Sequence, residues 1–483
     1  MNKLHNKIFL LAISFAIFSC SKFDTLNTDP VKPSVATPEQ LILSAEKSAS
    51  DILYNSIVNN RVGMHYAQYW AATDKEENSR YNLDEGSNST LWSLYSRSLK
   101  DLKEITIINE NAPIPEPVAN QNAIAGIIRV WIYHILADTY GNIPYSEAIG
   151  EENATPVYDD AATIYSDLIR KLNECQAALD PEKPSFASGD VIYKGDITKW
   201  KKLANSLILR IAMRMSDVKA GEAKTAIEAA IKNGVIVAST DDALFPYTSQ
   251  APNQYPYNDF ARPLIEFVVS KTMVDFMQSL NDPRLAIYAR RATESQTIIG
   301  KPYGLGSQTA SDAQKYSIPG TRVYAPDFPG ILMTASEVNF LLAEAAQRGM
   351  STGGTADSFY NAAIKENMKF WNVADAAATT YINSVPFNSA NWKNSLGSQK
   401  WIAMYMQGLQ AWFERVRLNF KKPDGADLFI APQAGSLDPS VALVPARLTY
   451  PVVETNTNAA NKEAAAQAIG GDTKGTKLWW QKF

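Results

Sequence analysis

NQNAIAGIIRVWIYHILADTYGNIP, residues 120–144, carries apolar side chains at Ile124, Ile127, Ile128, Trp131 and Ile135. Intervals of three and four put them on one stripe, which marks an amphipathic helix and not a strand. Gly141-Asn142-Ile143-Pro144 then stops it. Upstream, Thr37-Pro38-Glu39-Gln40 supplies a capping hydroxyl, a proline in the first turn and a glutamine at the third position, so a helix is predicted from there to about Val58. Downstream, Ile164, Leu168 and Leu172 mark a helix through Leu179 that ends before Pro181, and Trp200, Leu203, Leu207, Ile211 and Met215 mark the next. A short partner, Glu222 to Asn233, ends at Gly234.

Thr334-Ala335-Ser336-Glu337 reads as a capping box for a helix through Arg348. Gly349 to Gly354 is a turn and Thr355 to Trp371 is helical again, which makes an antiparallel pair. A last long helix is expected over Gln399 to Phe420, with Ile402, Tyr405, Met406, Leu409, Trp412 and Val416 on one face and Pro423 closing it. The fold class that follows is mainly α, built of tetratricopeptide-like helix pairs (an α/α superhelix), although no fixed-period repeat is legible. Two long irregular stretches interrupt it, Ser239 to Pro263 and Ile298 to Pro329, dense in Tyr, Pro, Gly and Asn. Loops of that length in a helical protein are more often functional than idle. Residues 38–483 are therefore read as a single helical domain with loops inserted over 239–330.

The N-terminus reads differently. Lys3 and Lys7 precede an apolar stretch from Ile8 to Phe18, then Ser19 and Cys20, the three regions of an export signal over residues 1–19. The stretch is too short to span a bilayer. A cysteine after a small residue there is the bacterial lipobox arrangement, so Cys20 is expected to be acylated and to become the mature N-terminus; bulky Phe18 keeps an ordinary secretory signal open. Residues 20–37 read as the lipidated cysteine and a flexible tether rich in Ser, Thr, Asn, Asp and Pro, so that membrane contact is through the lipid alone.

Without the signal, Cys175 is the one other cysteine, so no internal disulfide is available and stability must come from burial. With 46 Lys and Arg against 50 Asp and Glu, and the basic residues dispersed, a nucleic-acid partner is not expected.

Several runs, in this order over almost the whole mature chain, resemble the SusD/RagB family, most of all its SusD-like branch. They are Leu26-Asn27-Thr28-Asp29-Pro30; Ala137 through Ala148, with Asp138-Thr139-Tyr140-Gly141-Asn142-Ile143-Pro144-Tyr145 at its centre; Ile192-Tyr193-Lys194-Gly195-Asp196 leading into Trp200 to Leu207; Asp282-Pro283-Arg284-Leu285; Ala335 to Ala345; and Gln399-Lys400-Trp401-Ile402-Ala403. Family members often carry a glutamate before the tryptophan of the late helix and paired arginines after it, where this chain has Gln410 before Trp412 and Arg415-Val416-Arg417. Those positions are assigned to packing, and Glu337 and Glu344 to capping or pairing within the bundle.

The resemblance implies a cell-surface lipoprotein of the outer membrane that captures oligosaccharide and passes it to a SusC-like TonB-dependent transporter. One face docks on that transporter and an irregular part helps to hold ligand. Peptide as ligand, or a helical-repeat scaffold without small ligand, are the alternatives.

Sugars offer apolar ring faces and many hydroxyls, so a site for them needs aromatic planes flanked by amide, carboxylate or guanidinium groups. Two clusters have that mixture. The first is Tyr69-Trp70 with Asp74, Asn78, Arg80 and Tyr81, and the second is Tyr247, Tyr255, Tyr257, Asn258, Asp259 and Arg262; Tyr303 and Tyr324 come from the other long loop. From these the candidate ligand-binding set is Trp70, Asn78, Arg80, Tyr81, Tyr247, Tyr255, Tyr257, Asp259, Arg262, Tyr303 and Tyr324. The bland reading is that aromatic rings are more often buried than exposed as platforms, and the same loops would also serve as anchors for the transporter. Trp131, Trp200 and Trp412 lie on apolar stripes and are assigned to the core.

An enzyme would need a constellation. The mature chain has only His65 and His134, with no H-E-x-x-H, G-x-S-x-G or C-x-x-C, so neither catalysis nor a metal site is expected. His134 is read as a satisfied packing residue and His65 is undecided. A two-carboxylate glycosidase stays open because the chain is rich in Asp and Glu, and no cofactor is expected, with calcium left open.

Overall fold

The computed structural model describes residues 36–150, 153–257, 266–306 and 312–483. The expected signal, Cys20 and nearly all of the tether lie outside these residues, as do Asp259 and Arg262. α-Helices of nine residues or more are labelled here in chain order. They are α1 (Pro38–Leu53), α2 (Lys100–Glu110), α3 (Val118–Tyr140), α4 (Ala161–Ala178), α5 (Ile197–Arg214) and α6 (Ala220–Asn233), then α7 (Lys271–Ser279), α8 (Ala335–Gln347) and α9 (Ala356–Phe370). The series ends with α10 (Asp375–Ser384), α11 (Trp392–Ala403), α12 (Gly408–Leu418) and α13 (Ala459–Ala468). The result is the mainly helical architecture expected. Successive helices from α2 to α6 pack each on the next, α8 packs on α9, and α8 also meets α5 and α11.

The opening quotation becomes α3, and α3 is buried nearly all round because α2, α4 and α5 cover it on different sides. Its C-terminus stops where Gly141 takes φ +86, a conformation that suits glycine. Trp131, Trp200 and Trp412 are buried as expected. Thr37 and Gln40 form the reciprocal capping box read from the sequence, with Gln40 N donating to the Thr37 hydroxyl at 3.3 Å and Thr37 N donating to Gln40 Oε1 at 3.0 Å. Among the described residues no helix is long and apolar enough to cross a membrane.

Four expectations need correction. The first helix does not reach Val58 but ends at Leu53, because Asn55 accepts from Ile57 N and Val58 N and starts a separate wide-turned helix, Ser56–Met64. The long helix over Gln399 to Phe420 is two helices, α11 and α12, parted at Met404–Gln407 with Met406 at φ +73. The break lets Gly408 meet Gly63 backbone to backbone, where a Cβ on Gly63 would fall 2.5 Å from the Gly408 carbonyl carbon. Asn59 Oδ1 also accepts from Gly408 N at 3.0 Å.

At α8, Thr334 accepts from Glu337 N at 3.3 Å, but the Glu337 carboxylate does not return to the cap. It pairs with Arg210 of α5, Nε to Oε1 at 2.6 Å and Nη2 to Oε2 at 2.7 Å. Finally, the region of inserted loops over 239–330 is not all loop, since α7 lies between the two irregular stretches and short strands flank it. Strand β1 (Trp70–Ala72) pairs antiparallel with β5 (Phe267–Val269), β2 (Ile143–Pro144) with β3 (Tyr158–Asp159), and β4 (Ala243–Phe245) with β6 (Gly330–Met333).

Charge is buried at the centre of the array. Glu414 of α12 accepts from Arg214 at 2.5 Å, Lys400 at 2.9 Å and Arg417 at 2.6 Å, and Arg417 also grips Glu344 of α8 with two bonds of 2.7 and 2.6 Å. Arg214 Nε lies 3.2 Å from Asp138 of α3. Gln410 accepts from Arg214 at 2.9 Å and Arg415 donates to Tyr66 O at 2.5 Å, so where the late helix departs from the family pattern Gln410, Arg415 and Arg417 are buried and Val416 between the arginines is half-buried.

Asp242 caps this region by accepting from Ala335 N at 2.6 Å. Burial, with Glu366 and Asp241 nearby, raises its carboxyl to about 7 against the pull of that hydrogen bond. A carboxyl raised in the folded state favours folding most when protonated, and this contribution is lost as pH rises through about 7. Asp242→Asn is therefore expected to be more stable than the parent at pH 8 and to flatten the pH dependence of the urea midpoint between the ordinary 3.8 and about 7, the two values that bound the effect. An unchanged pH profile would refute this.

Candidate functional site

The β1–β5 ladder brings the two aromatic clusters of the sequence together. Trp70 pairs with Val269 and Ala72 with Phe267. Beyond β1 the chain turns through Lys75 at φ +53 into a short helical turn, Glu76–Arg80, and leaves through Tyr81 at φ +68. The Ser79 hydroxyl accepts from Ala72 N at 2.9 Å and ties the turn back onto the strand.

The rings then interlock. Trp70 stacks on Phe267 at 5.5 Å and lies 6.3 Å from Tyr257, and its Nε1 donates to the Tyr405 hydroxyl at 3.0 Å. Tyr257 lies 5.5 Å from Tyr324, Tyr81 lies 6.2 Å from Tyr303, and Tyr247 lies 5.6 Å from Tyr255. Two of the hydroxyls find partners within the fold, Tyr81 donating to Leu443 O at 2.6 Å and Tyr247 to Asp51 at 2.9 Å, whereas those of Tyr255 and Tyr303 are buried without an aligned hydrogen bond.

The consequence corrects the exposure that the sequence reading assumed. Trp70, Asn78, Tyr81, Tyr247, Tyr255, Tyr257, Tyr303 and Tyr324 are all buried, so none offers an open ring face or amide to solvent. The physical reason is the interlocking itself, since each ring buries its apolar faces against neighbouring rings. Arg80 is different. It is half-buried, donates to Gly435 O at 2.9 Å and Ala434 O at 3.0 Å, and lies 3.5 Å from Glu76. With exposed Asp74 and Lys75 it forms a polar rim over the aromatic floor. Such a rim can hydrogen-bond hydroxyls, and the floor holds it in place.

Both histidines among the described residues, His65 and His134, are buried. His134 Nε2 lies 3.3 Å from Asp138 Oδ2, but neither ring nitrogen makes an aligned hydrogen bond, so its packing against Tyr165 is not the satisfied arrangement expected. Burial, with Arg214 and Arg210 nearby, holds its pKa well below the usual value. His65 lies 3.1 Å from Arg61 O, and burial lowers it to about 3. Among the described residues no group of three or more His, Cys, Asp or Glu is placed to hold a metal ion.

Sequence reasoning missed three concavities. One of about 480 Å³ is uncharged and lined by Tyr360, Phe387, Asn388, Asn391 and Gln399. A second, of about 420 Å³, runs under Trp92 and Tyr95, and a third, of about 470 Å³, lies among α2, α3 and α4 around Arg129 and Tyr145. A signal for the third did exist, because Arg129 and Tyr133 sit four apart on α3 and share a face.

Comparison with known proteins bears on the family of the chain. A SusD-like family model, described as starch-binding and associating with the outer membrane, matches residues 30–451. A solved structure named a chitin-binding protein is 27% identical, with a TM-score of 0.81 over 92% of this chain and 100% of its own. A chitin-binding SusD homolog from Flavobacterium johnsoniae is 24% identical, with a TM-score of 0.80 over 92% of this chain and 98% of its own. A SusD homolog from Bacteroides thetaiotaomicron is 24% identical, with a TM-score of 0.78 over 93% and 100%. At that identity these last two speak for the fold. No curated protein matches the chain.

Proposed function

The chain belongs to the SusD-like family, and from that premise we propose that it captures oligosaccharide at the bacterial surface and delivers it to a SusC-like TonB-dependent transporter. The observation that carries this is the family match over residues 30–451, joined by the 27% identity to a chitin-binding protein along nearly the whole chain. Proteins of this family bind and do not turn over their ligand, so the carboxylates of the chain are not assigned to glycosidase chemistry.

Glycan is proposed to meet the loop face at Arg80, with Asp259 and Arg262 kept as candidates from the sequence that lie outside the described residues. The buried rings, Trp70 and Tyr257 foremost, act from beneath as the support of that rim. Delivery has to reverse, so affinity is expected to be modest, roughly micromolar to millimolar. Calorimetry of the full-length chain carrying Cys20→Ala against chito-oligosaccharides, malto-oligosaccharides and mixed peptides tests the ligand class. Saturable glycan binding is expected; binding to peptides alone would replace glycan as the ligand.

The anchor is the acylated Cys20, with the tether giving reach. Cells fed labelled palmitate should label the parent chain and leave it in the membrane fraction, whereas Cys20→Ala should be unlabelled and released. Retention of the variant in the membrane would contradict the anchor.

A further inference from the structure

The groove among α2, α3 and α4 holds a cationic group that the fold does not use. Arg129 is half-buried on its wall, and neither it nor Lys103 across the groove makes an ion pair or hydrogen bond with the chain. Both carboxylates that line the groove are already committed. Asp167 accepts from the Tyr145 hydroxyl at 2.6 Å and from Arg170, with Lys171 at 3.7 Å, and Glu174 pairs with Arg170. The surplus positive charge therefore faces open space of about 470 Å³.

Beside it stands a fixed aromatic plane. Tyr145 is half-buried, packs edge-on against Tyr133 at 4.8 Å and is pinned by its bond to Asp167. Arg129 and Tyr133 stand one turn apart on α3 and line the groove together with Tyr145. The floor is kept open by Gly126, where a Cβ would fall 2.6 Å from Cys175 Sγ and narrow the gap between α3 and α4.

We propose that this groove is a second saccharide site, apart from the loop face, that takes an acidic sugar of the uronic acid class. The carboxylate is held by the Arg129 guanidinium with Lys103 facing it, and the sugar ring lies on Tyr145. A neutral sugar would leave the free guanidinium unanswered, and a bare carboxylate would leave the ring unused.

Calorimetry of the full-length chain carrying Cys20→Ala, titrated with trigalacturonate and separately with glutarate, tests this. Trigalacturonate is expected to bind, more weakly as salt rises, and Arg129→Gln is expected to weaken it about tenfold or more, with Arg129→Lys between the two. Because Arg129 has no partner in the fold, a thermal melt of Arg129→Gln should overlay that of the parent and keep the loss a binding effect. No uronide binding, equal binding by Arg129→Gln, or glutarate binding as tightly as trigalacturonate would each overturn the site. Uronide binding without chito-oligosaccharide binding would sustain it while removing the neutral-glycan reading, and the reverse would remove this site alone.

Discussion

Glu414→Leu is expected to destabilise the protein by about 3–5 kcal/mol, read from the urea midpoint at neutral pH, because it strips the common partner from three buried cations. Arg417 would keep Glu344 and Arg214 would keep Asp138, but Lys400, which is 1% exposed, would have no counter-charge. Burial by itself would raise the Glu414 carboxyl, and the charges of Arg417, Lys400 and Arg214 instead hold it well below its ordinary 4.5. A carboxyl lowered in the folded state stabilises fully above its ordinary value and loses that contribution as pH falls below it. The gap between parent and Glu414→Leu should therefore be widest at neutral pH and narrow below 4.5. Glu344, held at about 2 by Arg417 and Arg348 against the upward push of burial, loses its own contribution between 4.5 and about 2 in both proteins. A gap that stays constant through acid would mean that packing, and not charge, is what Glu414 supplies.

Trp70→Ala should cost a similar amount, about 3–5 kcal/mol, as expected for emptying the site of a fully buried tryptophan. It removes the stack on Phe267 and the bond to Tyr405, and so loosens the ladder that holds the two loop clusters together. The diagnostic is which property moves. Lost stability assigns Trp70 to the floor, with any loss of glycan affinity following from the loosened rim. Unchanged stability with lost affinity would return it to the ligand face.

Trp70 also shows where the sequence stops being legible. Helical periodicity reports burial directly, so α3, α4, α5 and the α8–α9 pair were readable from their apolar stripes and caps. Irregular segments have no such period, and a Tyr or Trp there has the same local signature whether it faces solvent or another ring. Only the register Trp70 to Val269, formed across nearly two hundred residues of chain, decides it. The break between α11 and α12 escaped for a related reason. It goes with the Gly63–Gly408 contact, a long-range approach that leaves no mark on the stripe from Ile402 to Val416. Arg80 was readable as a polar group in a loop, but its role in holding Ala434 and Gly435 was not, since those partners lie far along the chain. The Arg129 groove was passed over because its residues come from three helices whose inner faces dominate the pattern.

Capture at the cell surface is tested most directly by labelling intact cells with a fluorescent chito-oligosaccharide. Cells that express the full-length chain should bind it, and cells that express Cys20→Ala, released from the membrane, should lose the signal. Equal labelling of cells that lack the protein altogether would contradict the account.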